Sequence, residues 1–164
     1  MQDLLPRAAA FLHLCKAKGL MIATAESCTG GLVSGLLTEV PGSSTVVERG
    51  FVTYSNEAKT EAVGVSAELI AAHGAVSEPV ARAMAEGALA RSRADLAVAI
   101  TGIAGPGGGS EAKPVGLVHF GMATRGGETR HLERRYGDLG RAEIRRRSVA
   151  DALGLLEAAA QARP

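Results

Sequence analysis

The sequence predicts a layered α/β protein, and three observations support this fold class. Apolar runs with the period of a strand alternate along the chain with stretches that have the period of a helix. Residues 95–101 form a continuous apolar run, which is typical of a central strand buried on both faces. Only 3% of the chain is aromatic although 46% is hydrophobic, so small side chains let the layers approach closely. A length of 164 residues suits one domain over 1–164.

Glycine, proline and capping residues delimit the elements of the first half. Gly19 stops the first helix, Pro41-Gly42 stops the second, and Asn56 offers an N-cap to a third helix that ends at Gly64. The predicted elements are a helix over 4–18, a strand over 20–25, a helix over 27–40, a strand over 49–54 and a helix over 57–63.

The second half repeats this alternation and closes with a hairpin and a long helix. Ser66 caps a short helix that Gly74 stops, and Pro79 suits the first turn of the next helix. The predicted elements are a helix from 77 to about 93, a strand over 95–101, a glycine-rich loop over 102–114, a hairpin of 115–124 with 128–136, and a helix from about 139. The last helix should turn Ile144, Val149, Leu153 and Leu156 inward.

Charge and composition exclude several classes of function. A net charge of +1 gives no sign of a nucleic-acid or membrane surface. Cys15 and Cys28 lie on unrelated elements, which indicates reduced thiols in a cytoplasmic protein without a signal peptide. The four histidines are scattered and no metal-ligand spacing occurs, so we expect neither a metal nor a cofactor.

The most informative motif is the junction TAESCTGG at 24–31, where a strand ends and a helix begins. The first N–H groups of a helix have no partner within it, and the helix dipole attracts negative charge there. Ser27, Thr29, Gly30 and Gly31 therefore predict an anion-binding turn, which could hold a phosphate or present a serine hydroxyl beside oxyanion donors. Glu26 lies directly before this turn, where it is a candidate for substrate binding or could instead complement the helix N-terminus.

A second motif, YSNEAK at 54–59, places Lys59 in the first turn of a predicted helix. A cation there faces the positive end of the dipole, which pushes the amine towards its neutral form and allows it to act as a general base. An ordinary surface lysine is the alternative interpretation. Tyr54 ends the preceding strand, and it could equally be a core residue with a solvated hydroxyl.

A third motif follows the best strand of the chain and contains Thr101, Gly102 and Gly105. Ligands of open α/β sheets lie beyond the carboxyl ends of the strands, so the three motifs should meet at one edge. A glycine loop can approach a ligand closely, although a flexible surface loop fits the pattern as well. Arg141 and Arg145 belong to a basic cluster that is either a solvated helix face or an anion clamp.

Five blocks in order resemble the CinA C-terminal-domain family, the bacterial nicotinamide-nucleotide amidohydrolases. They are TAESCTGG (24–31), ERGFVTYSNEAK (48–59), HGAVSEPVA (73–81), ITGIAGPGGGSEAKPVG (100–116) and the arginine-rich block at 140–149. The chain looks like the stand-alone form of the family. The resemblance implies a three-layer α/β/α sandwich on a mixed, mostly parallel sheet, no cofactor, and a homodimer.

The implied activity is hydrolysis of the carboxamide of nicotinamide mononucleotide to nicotinate mononucleotide and ammonia. By position, the resemblance places the nucleophile at Ser27 and the base at Lys59, with Tyr54, Thr101 and the arginines near the same pocket. We expect Tyr54 to take part in catalysis by orienting Lys59 or the substrate amide.

Two alternatives stay open beside this hypothesis. Cys28 could be the nucleophile, but no histidine occurs in a neighbouring motif to activate it. The chain could also be a non-catalytic sensor that binds a nucleotide at the same edge, although a sensor has no need of both Ser27 and Lys59.

Overall fold

The computed structural model describes residues 1–164 and contains one five-stranded sheet with the strand order β2-β1-β3-β4-β5. The strands are β1 (Ile22–Glu26), β2 (Val47–Val52), β3 (Leu96–Gly102), β4 (Leu117–Thr124) and β5 (Arg130–Arg135). The helices are α1 (Leu5–Lys18), α2 (Leu32–Thr38), α3 (Asn56–Val63), α4 (Ala67–His73), α5 (Glu78–Ala90) and α6 (Arg141–Ala162), with 3₁₀ turns at Gln2–Leu4 and Ser43–Thr45.

The sheet is mixed, as predicted. β1 pairs in parallel with β2 and β3, whereas β4 runs antiparallel to both β3 and β5. Thus β4 is the one reversed strand. The hairpin of β4 and β5 is confirmed, and β3 lies at the centre with residues 96–101 all buried.

Two apolar layers cover the two faces of the sheet, which makes a three-layer α/β/α arrangement. The larger layer contains 25 buried residues and includes the inner sides of α1, α2 and α6. The smaller layer contains 13 and includes those of α3, α4 and α5. The four inward residues predicted for the last helix are all fully buried.

Gly87 allows α3 and α5 to touch. A Cβ atom at this position would lie 1.7 Å from the carbonyl oxygen of Val63, so only glycine fits. This close approach fixes α3 against the rest of the smaller layer. No helix combines the length and the apolar character that a bilayer span requires.

Several predicted boundaries are wrong, and among those that affect the functional site β2 covers Val47–Val52 rather than 49–54, so Tyr54 lies beyond its end. α2 begins at Leu32 rather than at 27, because Gly30 and Gly31 have φ angles of +58° and +98° that a helix cannot contain. α3 is capped by Ser55 and not by Asn56, since the Ser55 hydroxyl accepts a 3.0 Å hydrogen bond from the N–H of Ala58. α5 ends at Ala90, before the predicted residue 93.

Candidate active site

The carboxyl ends of three parallel strands form one edge of the sheet, and the three sequence motifs lie there. Ser27 follows β1, Thr53 follows β2, and the glycine loop follows β3. The N–H of Ser27 donates to Ile100 O at 2.9 Å, and the N–H of Thr53 donates to Glu26 O at 2.8 Å. These bonds continue the parallel ladder past the strand ends, so rigid sheet backbone positions the first residues of the site.

Ser27 and Lys59 are in direct contact. Nζ of Lys59 lies 3.1 Å from Oγ of Ser27, although 32 residues separate them in sequence. The lysine side chain is only 1% exposed, whereas Ser27 keeps 8% of its surface accessible. The interpretation of Lys59 as an ordinary surface residue is therefore wrong. A nucleophile within hydrogen-bond reach of an amine is the arrangement that serine–lysine chemistry requires.

Backbone carbonyl groups hold the rest of the Lys59 amine. Nζ donates to Thr53 O at 2.9 Å and contacts Tyr54 O at 3.3 Å and Ser55 O at 3.4 Å. No carboxylate contacts the amine. Burial lowers the pKa of Lys59 below its ordinary value, and the charge of Glu57 opposes this only in part. The sequence argument attributed the shift first to the helix dipole, but burial is the main cause.

Tyr54 contributes two different groups. Its backbone oxygen accepts from Lys59 and lies 3.5 Å from Oγ of Ser27. Its ring is 59% exposed, and the hydroxyl accepts a 3.0 Å hydrogen bond from Arg141. The interpretation of Tyr54 as a core residue is wrong. Its side chain points away from the Ser27–Lys59 contact and towards the first residue of α6.

Glu26 is buried at the N-terminus of α2. Its carboxylate accepts from the N–H groups of Gly31 at 3.2 Å, Val33 at 3.0 Å and Ser34 at 2.9 Å. The structure thus places Glu26 as the complement of the helix N-terminus, which the sequence left as an alternative to substrate binding. The N–H of Gly31, which belongs to the predicted anion-binding turn, is already occupied because it donates to Glu26.

The two arginines have different surroundings. Arg145 donates to Cys28 O at 3.1 Å and to Thr29 O at 3.2 Å. Arg141 is more exposed, and besides Tyr54 it donates to Gly105 O at 3.0 Å. Neither guanidinium pairs with a carboxylate. Their positive charge is therefore left uncompensated within the chain, which favours an anion at this edge.

The remaining predicted residues lie at the same edge with less specific contacts. Thr101 is buried, and its hydroxyl donates to Ala75 O at 2.9 Å. Gly102 is the last residue of β3, where a Cβ atom would lie 2.7 Å from Val118. Gly30 packs beneath Arg145, since a Cβ atom on this glycine would lie 3.6 Å from Nη2 of the arginine. The backbone, rather than side chains, forms this part of the edge.

Sequence reasoning missed Thr53. Its carbonyl oxygen makes the shortest contact to the Lys59 amine. Its hydroxyl and that of Thr29 are the two buried side-chain polar atoms without a hydrogen-bond partner in the protein. Such atoms are uncommon in folded proteins, and these two belong to residues of the segments that contain Ser27 and hold Lys59. Alternation along β2 places Thr53 on the face opposite Val52, and this alternation is the only feature of the sequence that indicates burial of Thr53.

Cys28 does not fit the role of nucleophile. Burial raises the pKa of its thiol to about 12, so the thiolate is scarce at neutral pH. No group of three histidine, cysteine or acidic residues in the chain could hold a metal ion. The 3.1 Å contact with Lys59 makes Ser27, rather than Cys28, the side chain in this motif that has an amine beside it.

Comparison with known proteins agrees with the block pattern of the sequence. A family model of the CinA C-terminal domain matches residues 6–160. The chain belongs to the CinA C-terminal domain family. A crystal structure from this family, the competence/damage inducible protein CihA from Agrobacterium tumefaciens, has a TM-score of 0.93. It is 56% identical in sequence, and the match covers 95% of this chain and 94% of that one.

Relatives in the CinA family differ in length. The nicotinamide-nucleotide amidohydrolase PncC of Escherichia coli K12 is 57% identical over 144 residues, which are 86% of this chain and 85% of that protein. A CinA-like protein of Chloroherpeton thalassium is 61% identical over 112 residues, which are 68% of this chain and 27% of that protein. The chain thus spans less than a third of some relatives and most of others.

Proposed function

We propose that this chain hydrolyses the carboxamide of nicotinamide mononucleotide and releases ammonia and nicotinate mononucleotide. The observation that carries the proposal is the 3.1 Å contact between Ser27 and a buried lysine whose pKa is lowered. The 57% identity with a protein named nicotinamide-nucleotide amidohydrolase supports the choice of substrate. A role in the salvage of pyridine nucleotides follows from these products.

Lys59 acts as the general base in its neutral form. Its two N–H groups donate to carbonyl oxygens of the segment 53–55, which leaves the nitrogen lone pair for the hydroxyl hydrogen of Ser27. Nζ takes this proton while Oγ bonds to the carboxamide carbon, and the π pair of the C=O bond moves to oxygen. The intermediate then collapses, the C–N bond breaks, and Nζ returns the proton to the departing nitrogen as ammonia.

Hydrolysis of the acyl-enzyme completes the cycle. Lys59 takes a proton from water, the hydroxide oxygen bonds to the acyl carbon, and the bond from this carbon to Oγ breaks. The proton then returns to Ser27, and nicotinate mononucleotide leaves. Neither half-reaction needs an oxidant, a reductant or a cofactor, because only protons and one acyl group move.

Arg141 is our candidate for the phosphate of the nucleotide. Its guanidinium is exposed and is held only by neutral acceptors, the hydroxyl of Tyr54 and the carbonyl of Gly105. A phosphate would replace these partners with charge-assisted hydrogen bonds, which are stronger. When Arg141 binds the phosphate in place of the Tyr54 hydroxyl and the Gly105 carbonyl, these two groups would lie next to the bound nucleotide.

Ammonia release from nicotinamide mononucleotide by metal-stripped protein tests the proposal. Turnover is expected in the wild type and is expected to vanish in Ser27→Ala. The matched control Ser44→Ala changes an exposed serine without a hydrogen bond and should keep full activity. Full turnover in Ser27→Ala would overturn the mechanism, and nucleotide binding without any turnover in the wild type would favour the sensor hypothesis.

A homodimer is the oligomeric state that we propose. Val52, Tyr54 and Leu139 are the three large hydrophobic side chains that the single chain leaves exposed, and a second copy would cover such residues. Light scattering after size exclusion should give twice the 16.7 kDa of one chain, and a mass of one chain would contradict the proposal.

A further inference from the structure

Three of the five backbone N–H groups of the nucleophile turn, residues 27–31, donate to atoms of the protein. The N–H of Ser27 donates to Ile100 O, and the N–H of Gly30 donates to Ser27 O at 2.9 Å. The N–H of Gly31 donates to Glu26. The N–H groups of Cys28 and Thr29 donate to no atom of the protein, so they are the two free donors of the turn.

The carbonyl groups of the turn are bound from the opposite side. Arg145 donates through Nε to Cys28 O and through Nη2 to Thr29 O. Glu26 binds the start of α2, and Arg145 binds the turn before it. A carboxylate and a guanidinium thus hold the turn from two sides.

We propose that the N–H groups of Cys28 and Thr29 form the oxyanion hole, and that Glu26 and Arg145 are the positioning residues that hold it. This inference rests on the proposed function, in which a carboxamide oxygen gains negative charge during attack by Ser27. The N–H of the residue after a nucleophile is a common donor to such an oxygen.

Both donors belong to the two residues that directly follow Ser27 in one hydrogen-bonded turn. The bond from the N–H of Gly30 to Ser27 O closes a four-residue turn in which Cys28 and Thr29 are central. In turns of this kind the side chain of the first residue lies on the side of the N–H groups that follow it. An acyl carbon attached to Oγ of Ser27 therefore has its oxygen beside these two donors.

Arg145 also strengthens one of the donors. The carbonyl of Cys28 and the N–H of Thr29 belong to the same peptide group, and a hydrogen bond to the oxygen makes the N–H a better donor. Glu26 has a complementary effect, because its negative charge satisfies the N-terminus of α2. A substrate phosphate is thereby directed away from α2 and towards the exposed guanidinium of Arg141.

Steady-state kinetics separate positioning from phosphate binding. Arg145→Met is expected to lower kcat by about 10²–10³-fold with little change in KM, which is the loss typical of an impaired oxyanion hole. Arg141→Met should mainly raise KM for the mononucleotide. Arg146→Met is the matched control on the same helix, since Arg146 pairs with Asp3 on the surface and should retain full activity. A raised KM with unchanged kcat in Arg145→Met would overturn the inference.

Glu26→Gln tests the other side of the turn. An amide of the same shape sets an N–H group against backbone N–H donors, so the turn should shift and kcat should fall while KM for the nucleotide stays nearly constant. Arg145→Lys provides a second variant of the guanidinium, with one donor group in place of two. Unchanged kcat in both Glu26→Gln and Arg145→Lys would contradict the positioning role.

A second measurement does not depend on the identity of the substrate. A fluorophosphonate reagent labels Ser27 when Oγ bonds to phosphorus and fluoride leaves, with the hydroxyl proton passing to Lys59 and then to water. The phosphoryl oxygen then occupies the oxyanion position. Mass spectrometry should show labelling of Arg145→Met slowed by about tenfold or more relative to wild type and Arg146→Met. Equal labelling rates would overturn the inference, whereas slowed labelling without amide hydrolysis by the wild type would contradict only the proposed substrate.

Discussion

Replacement of Lys59 by methionine removes the proposed base while keeping the length of the side chain. The amine has four polar neighbours, namely Oγ of Ser27 and the carbonyl oxygens of the segment 53–55. Of these, the oxygen of Thr53 has no other donor. The substitution therefore leaves one buried carbonyl unsatisfied and Ser27 without its proposed proton acceptor.

The two consequences differ greatly in size. Loss of a positioned general base costs about 10²–10⁴-fold in rate. An unsatisfied buried carbonyl costs about 1–3 kcal/mol, but methionine also relieves the desolvation that lowers the pKa of the lysine. We therefore expect a net loss of about 1 kcal/mol, which corresponds to a fall of about 2–4 °C in Tm for a chain of this size.

Ammonia release and thermal unfolding should be measured on the same preparations. Lys59→Arg should be as inactive as Lys59→Met, because a guanidinium keeps the charge but cannot accept a proton. Lys16→Met on the exposed side of α1 serves as the control and should match the wild type in both assays. A folded Lys59→Met protein with a rate within about threefold of the wild type would refute the base role.

Three further predictions concern pH and packing. The value of kcat/KM should rise with pH as Lys59 loses its proton. Because burial lowers the pKa of Lys59, the inflection of this pH profile should lie below the ordinary lysine pKa of 10.5. An inflection at or above that value would argue against a buried base. Burial also lowers the pKa values of His119 and His131, whose rings share a 2.8 Å hydrogen bond. The two rings thus bind protons less readily in the folded state than in the unfolded state. Above pH 6.5 both histidines are neutral in either state and the stability is at its full value, and as the pH drops below 6.5 the free energy of unfolding should fall. Urea titrations at several pH values would measure this fall. Gly87→Ala should lower the free energy of unfolding by about 1–3 kcal/mol, because the new Cβ meets a carbonyl of α3. In Gly35→Ala the new Cβ meets nothing within 4 Å, so this substitution should stabilise α2 by about 0.5–1 kcal/mol. Equal unfolding free energies for the two variants would contradict this packing.

The sequence predicted the fold correctly where a residue type or a short pattern corresponds to one kind of local structure. Gly19 and Gly64 end helices with left-handed φ angles, and the apolar run at 95–101 is the central strand. Ser27 stands out because it directly follows a strand, and Lys59 because it lies in the first turn of a helix, although their catalytic roles stay predictions. Such signals are local, since a few neighbouring residues are enough to produce them.

The contacts that organise the site were beyond the reach of these patterns. Glu26 binds the start of α2 only because Gly30 and Gly31 turn the chain back before the helix begins. The carbonyl of Thr53 is a backbone group, which every residue possesses and no sequence pattern marks. Arg145 contacts the nucleophile turn across 117 positions of sequence, a distance that only the packing of α6 resolves.

The Lys59 amine and the three carbonyl groups that hold it belong to one short segment, residues 53–59, so they would move together. This segment directly follows β2, which is an edge strand with a neighbour on one side only. Ser27, in contrast, follows β1 in the interior of the sheet. Edge elements open more readily than the interior of a sheet. The contact therefore joins an interior strand to an edge segment, and the packing of α3 against α5 holds the two together. Warming that loosens this edge should separate serine from lysine, with loss of turnover, before the fold as a whole melts.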